Sequence, residues 1–251
     1  MEITILGSGT GVPSVRRASP CILAASQDTR LLVDTGPGAL RQLVKAGASL
    51  NDIDLIIYTH FHIDHTADMI PFLFASKYGP GRQRTRDLTL LGPPGLKKLY
   101  DGLCSVYGRW AAPEHFSLEW IEIRDETVRF KDLTVQALPV NHIESSIAVR
   151  LTCPRGKTVV FSGDTDYCPE IVRLSQNADM AVLECSFPEG MKCAGHLTPS
   201  LAGRIAREAR CKKLTLTHFY PPCDSADIPA QAATEFSGEI VIAEDLMRVS
   251  L

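Results

Sequence analysis

Short apolar runs of β-forming residues alternate with helical stretches along the chain. The runs predict strands at residues 2–6, 21–25, 30–34, 54–59, 88–91, 118–123, 133–140, 146–152, 158–162, 180–184, 213–217, 239–243 and 247–251. Helical periodicity predicts helices at residues 38–46, 66–78, 95–107, 169–176, 199–210 and 228–236. The helix from Pro199 is the best marked, because Thr198 is suited to cap it and proline fits a first helical position.

The order of these elements predicts the fold class. Between residues 118 and 162 strands follow one another without a helix, which favours hairpins and therefore mixed rather than purely parallel sheets. Each half of the chain runs from strands to helices, and neither a long polar linker nor a repeat separates the halves. We predict a single domain over residues 1–251, in which two mixed β-sheets pack face to face with helices outside, an α/β sandwich of four layers.

Composition and charge narrow the function. Apolar residues make up 45% and charged residues 22% of the 251 residues, typical of a globular chain, and the net charge of −3 excludes coating of nucleic acid by bulk positive charge. The eight cysteines show no C-x-x-C spacing. Without a signal-peptide pattern or an apolar run of membrane-spanning length, the sequence predicts a cytoplasmic protein with free thiols and no membrane partner.

A glycine-rich segment after the first strand imitates a dinucleotide-binding motif. Gly7, Gly9 and Gly11 have the wrong context for that motif, because Val12 and Pro13 follow where a helix would have to begin. We interpret the glycines as a tight turn and expect no nucleotide cofactor.

A dense group of metal-binding side chains follows the predicted strand at 54–59. His60, His62, Asp64 and His65 lie within six residues of one another in a chain that has seven histidines. On a loop, alternate residues can point the same way, so His60 and His62 can bind one ion while Asp64 and His65 face another position. A metal ion usually takes three or four protein ligands, so this group needs further ligands from elsewhere in the chain.

Three later residues at strand ends can complete two sites. His142, Asp164 and His218 each follow an apolar β-rich run. We predict that His60, His62 and His142 bind a first metal and that Asp64, His65 and His218 bind a second. Asp164 bridges them, because a carboxylate can share its two oxygens between two cations. Zinc is the expected metal, although manganese and iron suit the same imidazole and carboxylate ligands.

These motifs resemble the metallo-β-lactamase superfamily, and within it the ribonuclease Z-like branch. The resemblance rests on the His60–His65 motif, on later stretches at residues 5–14, 32–36, 91–93, 162–165 and 217–218, and on a His-x-Thr loop at His196 and Thr198. It implies an αβ/βα sandwich with metals at one edge, often as a homodimer. It also implies that Asp34 is buried and supports the metal loop without binding metal.

The chain departs from ribonuclease Z in its RNA-binding parts. The branch inserts a long arm that grips tRNA between the counterparts of His142 and Asp164, where this chain has only the 21 residues 143–163. In the loop that meets the tRNA end, Val15 and Ala18 replace lysine and asparagine, and only Arg17 is kept. We therefore expect weak tRNA binding and a small-molecule or short phosphodiester substrate.

The predicted function is a dinuclear metal-dependent hydrolase, most simply a phosphodiesterase that uses a metal-bridging hydroxide. Two cations lower the pKa of a bound water to around 7 and neutralise charge in the transition state. The same site also suits carboxylic esters, lactones or thioesters, and a non-catalytic binding module is a third reading.

Other side chains have roles assigned from their place around the metals. Asp64 can accept the proton of the bridging water in addition to binding metal. The resemblance puts His196 at the metal edge, where it suits a general acid, with Glu184 as the partner that orients it. Arg82, Arg84 and Arg86 lie in a glycine–proline loop, where they either contact substrate phosphate or are simply solvated.

Overall fold

Two seven-stranded sheets form the centre of the described structure. A computed structural model describes residues 1–79 and 83–251. The first sheet contains β1 (Glu2–Gly7), β2 (Cys21–Ala25), β3 (Arg30–Val33), β4 (Leu55–Ile57), β5 (Leu88–Gly92), β6 (Leu118–Glu122) and β14 (Met247–Ser250), in the order β14-β1-β2-β3-β4-β5-β6. The second contains β7 (Thr127–Phe130), β8 (Leu133–Pro139), β9 (Ile147–Thr152), β10 (Thr158–Phe161), β11 (Met180–Glu184), β12 (Lys213–Thr217) and β13 (Glu239–Ile242), in the order β13-β12-β11-β10-β9-β8-β7.

Both sheets are mixed, with an antiparallel part and a parallel part. In the first sheet, β14, β1, β2 and β3 pair antiparallel, whereas β3 to β6 are parallel. In the second sheet, β7 to β10 are antiparallel and β10 to β13 are parallel. The expected mixed topology is confirmed, and the parallel strands direct their carboxyl ends towards one edge.

Helices cover the outer faces of both sheets. They are α1 (Ala39–Lys45), α2 (Ile63–Thr66), α3 (Met69–Tyr78), α4 (Leu96–Tyr107), α5 (Pro169–Leu174), α6 (Pro199–Glu208) and α7 (Ile228–Ala233), with 3₁₀ turns at Leu50–Asp52, Gly108–Trp110 and Pro221–Ser225. Within the described residues, each helix is too short or too polar to cross a membrane.

The strand sequences explain the layers. On β4, Leu55 and Ile57 belong to the core between the sheets, while Ile56 packs under the helices of the first sheet. The second sheet divides in the same way, with Val182 between the sheets and Leu183 under its helices. Alternate strand residues point to opposite faces, so a continuous apolar run fills two cores at once. The predicted four-layer sandwich is confirmed.

Three local predictions differ from the structure. The helix predicted over 66–78 begins only at Met69, as α3, and the separate helix α2 ends at Thr66, because the Asp68 N–H donates to the Thr35 carbonyl and not to a helical partner. Strand β7 is an additional strand that the sequence pattern does not predict, since its four residues alternate only between exposed and half-buried positions. Thr198 occupies the N-cap of α6 without a side-chain cap bond within the described chain, and Glu189 accepts the Ser200 N–H instead.

Candidate metal centre

The predicted ligands meet at one edge of the sandwich. His60 follows β4, His142 follows β8, Asp164 follows β10 and His218 follows β12 directly. Asp64 and His65 are held by the short helix α2. Two groups have ligand atoms within 4.8 Å of one another: His60, His62, His142 and Asp164 form one, and Asp64, His65 and His218 form the other.

Asp164 lies between the two groups, with one oxygen towards each. Its Oδ2 is 3.8 Å from His60 Nε2 and 3.8 Å from His142 Nε2. Its Oδ1 is 3.3 Å from His65 Nε2 and 3.3 Å from His218 Nε2. The two oxygens of the carboxylate therefore face two different positions.

Distances between the ligand atoms suit metal ions. His62 Nδ1 is 3.1 Å from His142 Nε2, and His65 Nε2 is 3.3 Å from His218 Nε2. Tetrahedral ligands with metal–nitrogen bonds of about 2.0–2.1 Å lie about 3.3 Å apart. The buried His60 Nε2 and Asp164 Oδ1 also lack hydrogen-bond partners within the described residues. Buried polar atoms are rarely left unpaired, so these residues fit bound metal.

Hydrogen bonds fix the tautomers of four of the histidines. Thr59 Oγ1 donates to Asp34 and so accepts from His60, and Ser186 Oγ donates to Glu184 and so accepts from His218. A proton on Nδ1 leaves the Nε2 lone pair free for a metal. The four Nδ1 contacts are His60 to Thr59 Oγ1 at 3.1 Å, His65 to Asp34 Oδ2 at 2.8 Å, His142 to the Gly195 carbonyl at 3.0 Å, and His218 to Ser186 Oγ at 3.0 Å.

Electrostatics favour the ligating forms of His60 and Asp164. Burial, followed by the charge of His65, lowers the pKa of His60 to about 2, so that imidazole is neutral at ordinary pH. Burial would raise the pKa of Asp164, but the charges of His218 and His65 outweigh it and hold the pKa well below its usual value. Neutral imidazole and ionised carboxylate are the forms that bind metal.

Asp34 ties the end of β3 to the candidate ligands. Its Oδ1 accepts the Thr59 N–H at 2.8 Å, and its Oδ2 accepts the Thr59 hydroxyl and the His65 Nδ1–H. Asp34 is buried and has a φ of 59°, in the left-handed region that aspartate tolerates better than most residues. The structure thus places Asp34 behind the ligands, where the resemblance puts it.

We expect Asp34→Asn to weaken binding in the group that contains His65 by about 10–100-fold, because an amide cannot accept all three hydrogen bonds or favour His65 protonated on Nδ1. Titration of the metal-free protein with zinc, followed by calorimetry, measures this affinity. An unchanged affinity would show that Asp34 serves only the fold. Asp132→Asn is the control, since Asp132 accepts from Thr29 away from the ligands.

His196 and Glu184 form a pair beside the candidate ligands. His196 Nδ1 donates to Glu184 Oε1 at 2.8 Å, which leaves His196 Nε2 free for another partner. Burial lowers the pKa of His196, but the hydrogen bond and charge of Glu184 outweigh it, so the pKa lies above its usual value. His196 also lies within ligand range of Asp164 and His218, so its role as an acid needs a direct test.

Ser186 is a component of the site that sequence reasoning missed. Its hydroxyl lies 2.7 Å from Glu184 Oε2, 3.0 Å from His218 Nδ1 and 3.0 Å from His196 Nδ1. Glu184 is fully buried, and through Ser186 its carboxylate orients both a candidate ligand and the candidate acid. A lone serine two residues after a glutamate carries no sequence signal for this role.

Two glycine-containing loops approach the site closely. Gly195 has a φ of 82°, and a Cβ there would lie 2.9 Å from His142 Nδ1. The Gly7–Gly11 segment begins at the end of β1 and lies close to Ser19, since a Cβ on Gly7 would lie 1.9 Å from the Ser19 carbonyl oxygen. Its Gly11 N–H donates to Asp64 Oδ2 at 3.0 Å. This segment therefore reaches the ligands directly, in keeping with its interpretation as a turn.

The arginines considered for substrate binding are used in the fold. Arg84 is buried and donates to the Leu50, Ile53 and Asp87 carbonyls, and Arg86 pairs with Asp54. These bonds assign structural roles to both side chains in place of substrate contact. Arg82 lies outside the described residues.

The fold and the histidine–aspartate cluster define the class of this protein as a metal-dependent hydrolase. The family model described as the beta-lactamase superfamily domain matches residues 29–219. The chain therefore belongs to the beta-lactamase superfamily.

Named relatives of the chain include ribonuclease Z and a metallo-hydrolase. The chain is 29% identical to ribonuclease Z of Mycobacterium marinum over 276 aligned positions, which cover 100% of this chain and 99% of the relative. It is 28% identical to YhfI of Bacillus subtilis, named a probable metallo-hydrolase, with 97% of each chain covered.

Solved structures show the same architecture. The crystal structure of YhfI gives a TM-score of 0.86 at 29% identity and covers 99% of this chain and 98% of YhfI. The crystal structure of human tRNase Z, short form, gives 0.80 at 23% identity and covers 100% of this chain and 99% of that one. The second likeness shows the shared fold alone.

Proposed function

We propose that this chain is a dinuclear metallo-hydrolase that cleaves small phosphodiesters. The observation that carries the proposal is Asp164, whose two oxygens face two separate groups of ligand atoms. His60, His62 and His142 hold the first cation, Asp64, His65 and His218 hold the second, and Asp164 is shared. Ribonuclease Z among the relatives supports phosphodiesters as the substrate class.

The protein side chains divide the proton transfers between them. When bound, two cations supply a nucleophilic water of lowered pKa and neutralise charge on the phosphoryl oxygens. Asp64 accepts the proton of that water. His196 donates a proton from Nε2 to the leaving oxygen, while Glu184 holds its Nδ1–H. A positioned acid matters most for an alkoxide leaving group, so this pair favours oxygen esters over thioesters, whose thiolate leaves unaided.

Metal analysis and a substrate panel test this proposal together. We expect about two transition-metal ions per purified chain, with zinc the first candidate. We also expect turnover of bis(p-nitrophenyl) phosphate that a chelator abolishes and added metal restores. The panel includes a cyclic nucleotide, a lactone and a thioester. Faster turnover of the lactone or thioester than of either phosphodiester would show that the substrates are carboxylic esters and not phosphodiesters. Activity in the absence of metal would contradict the metal-dependent mechanism.

The surroundings of the site favour a small substrate over a polyanion. Arg16 and Arg17 both pair with Asp224, and Lys192 pairs with Asp166. Arg17 also donates to the Ser8 hydroxyl and the Ala243 carbonyl, and its guanidinium lies over Phe219. These three basic side chains are therefore already paired, whereas RNA binding needs free ones.

The exposed side chains around the site and the short segment between His142 and Asp164 also favour a small substrate. Val12, Ile63 and Met191 are 42%, 76% and 51% exposed. Strands β9 and β10 take 10 of the 21 residues 143–163, and no connection between them or beside them exceeds five residues, so an RNA-binding arm has no place there. The alignment with the mycobacterial ribonuclease Z spans 276 positions, 25 more than this chain has.

We expect weak, strongly salt-sensitive tRNA binding and little cleavage at the tRNA 3′ end. A protein that neutralises fewer phosphates binds RNA with lower affinity, and little of that affinity survives physiological salt. A precursor tRNA cleavage assay at about 150 mM salt, with bis(p-nitrophenyl) phosphate turnover measured on the same preparation, checks this. Efficient cleavage at that salt would return the substrate to precursor tRNA, and Arg82 would be the first arginine to replace.

A further inference from the structure

Two aromatic rings stack beside the candidate acid. Phe187 and Tyr220 have ring centroids 4.6 Å apart with an interplanar angle of 16°. The centroid of each ring lies 6.3 Å from that of His196, and the Tyr220 ring lies 6.0 Å from the His218 ring. The pair therefore flanks the side of the site where the leaving group would be protonated.

The backbone holds Tyr220 in this position firmly. Pro221 follows it, and a residue before proline is restricted to extended conformations, which Tyr220 adopts with φ −73° and ψ 158°. The Tyr220 N–H donates to the Ser186 carbonyl, and the Tyr220 carbonyl accepts the Cys223 N–H at 2.9 Å. The ring is thus fixed to the segment that carries Glu184 and Ser186, so little conformational freedom is lost when a ligand binds it.

The pair has binding capacity that the fold does not use. Both residues are only half-buried, unlike the core aromatics Tyr58 and Phe72. The Tyr220 hydroxyl makes no hydrogen bond to the parts of the chain that are described. A tyrosine hydroxyl is protonated at neutral pH, so it can donate a hydrogen bond to a ligand.

We propose that Phe187 and Tyr220 determine substrate specificity, with the ring pair stacking against a planar aromatic group of the substrate while the Tyr220 hydroxyl donates to a phosphoryl oxygen. This rests on the proposed phosphodiesterase function and narrows it to phosphoesters that carry a nucleobase-like ring near the phosphorus. Stacking on aromatic side chains is tolerant of the identity of the ring, so the pair selects planar groups as a class.

Binding of two phosphate monoesters that differ only in the base separates the two parts of this proposal. The probes are adenosine 5′-monophosphate and ribose 5-phosphate, and the affinity of each for the metal-loaded protein is measured by calorimetry. We expect the wild type to bind adenosine monophosphate more tightly. Phe187→Leu should weaken that binding by about 5–100-fold, the range for removing one stacked aromatic ring, and leave ribose 5-phosphate unchanged.

Tyr220→Phe keeps the ring and removes the hydroxyl. This substitution should lower the affinity for both probes by a similar factor, about 2–10-fold, because one neutral hydrogen bond to the phosphoryl group is removed. Phe130→Leu and Tyr107→Phe are matched controls away from this edge. Thermal melting and metal content of each variant show whether the fold and the metals are retained, and the two wild-type affinities test the stacking even if Phe187→Leu does not fold.

Equal wild-type affinities for the two probes, or equal effects of Phe187→Leu on both, would overturn the stacking role while leaving turnover of bis(p-nitrophenyl) phosphate intact. Tyr220→Phe without effect on either probe would overturn the role of the hydroxyl. If the metal-loaded wild type bound neither probe and did not hydrolyse bis(p-nitrophenyl) phosphate, the phosphodiesterase proposal would fail, and this inference with it.

Discussion

Asp164→Asn is expected to reduce turnover by roughly 10³-fold or more. The amide keeps the shape of the side chain but removes the negative charge that both ligand groups face across 3.3–3.8 Å. Two cations held close together repel each other, and the shared carboxylate offsets that repulsion. Their contribution to the transition state is several kcal/mol, and each 1.36 kcal/mol removed is a factor of about ten in rate.

The metal content of the Asp164→Asn protein, measured by mass spectrometry beside the wild type, should fall below two ions per chain. Asp101→Asn is the matched control, because Asp101 is exposed and pairs with Lys97 on α4, away from the ligands. Two tightly bound ions together with near-normal turnover would contradict the bridging role of Asp164.

His196→Ala is expected to slow cleavage of substrates with an alkoxide leaving group by roughly 10²–10⁴-fold, the usual range for a positioned general acid. A nitrophenolate leaves without protonation, so bis(p-nitrophenyl) phosphate should be affected much less. Both metals should remain bound, because His196 Nδ1 is directed to Glu184 and the ligand positions are filled without it. The measurement is the ratio of the two rate defects, with metal content determined on the same preparation.

His65→Ala is the matched comparison for His196→Ala. Removing His65 should loosen the second metal and suppress both kinds of substrate alike, since no leaving group compensates for a missing cation. If His196→Ala produced equal defects on both leaving groups, or released a metal, His196 would be a ligand instead of an acid. That outcome would agree with its position within ligand range of Asp164 and His218.

Much of the fold could be predicted because its signals are local. The apolar run of β4 and the proline at the start of α6 are readable from neighbouring residues, and the strands and helices they predict are present. Predictions failed where the local structure depends on a contact with another part of the chain. A hydrogen bond from the Asp68 N–H to the Thr35 carbonyl interrupts the predicted helix at 66–78, and Glu189 takes the capping role expected of Thr198.

The candidate site also has parts that the sequence predicts and parts that it does not. The sequence alone determined which side chains could bind metal, because His60 to His65 are close in the chain and His142, Asp164 and His218 each end an apolar strand. It also indicated that Gly7 to Gly11 form a turn, since Pro13 prevents the helix that a nucleotide motif needs. These inferences depend on residue type and short spacing.

Only the tertiary structure decided how those side chains are oriented and which neighbours support them. His65 and His218 meet across 153 positions of sequence, and the His142 tautomer depends on a carbonyl 53 residues away. Ser186, the buried Arg84 and the Phe187–Tyr220 pair carry no sequence signal for their roles, because a backbone carbonyl or a ring face can be supplied by almost any part of a chain. Such interactions form only when the two sheets pack and bring separate strand ends to one edge.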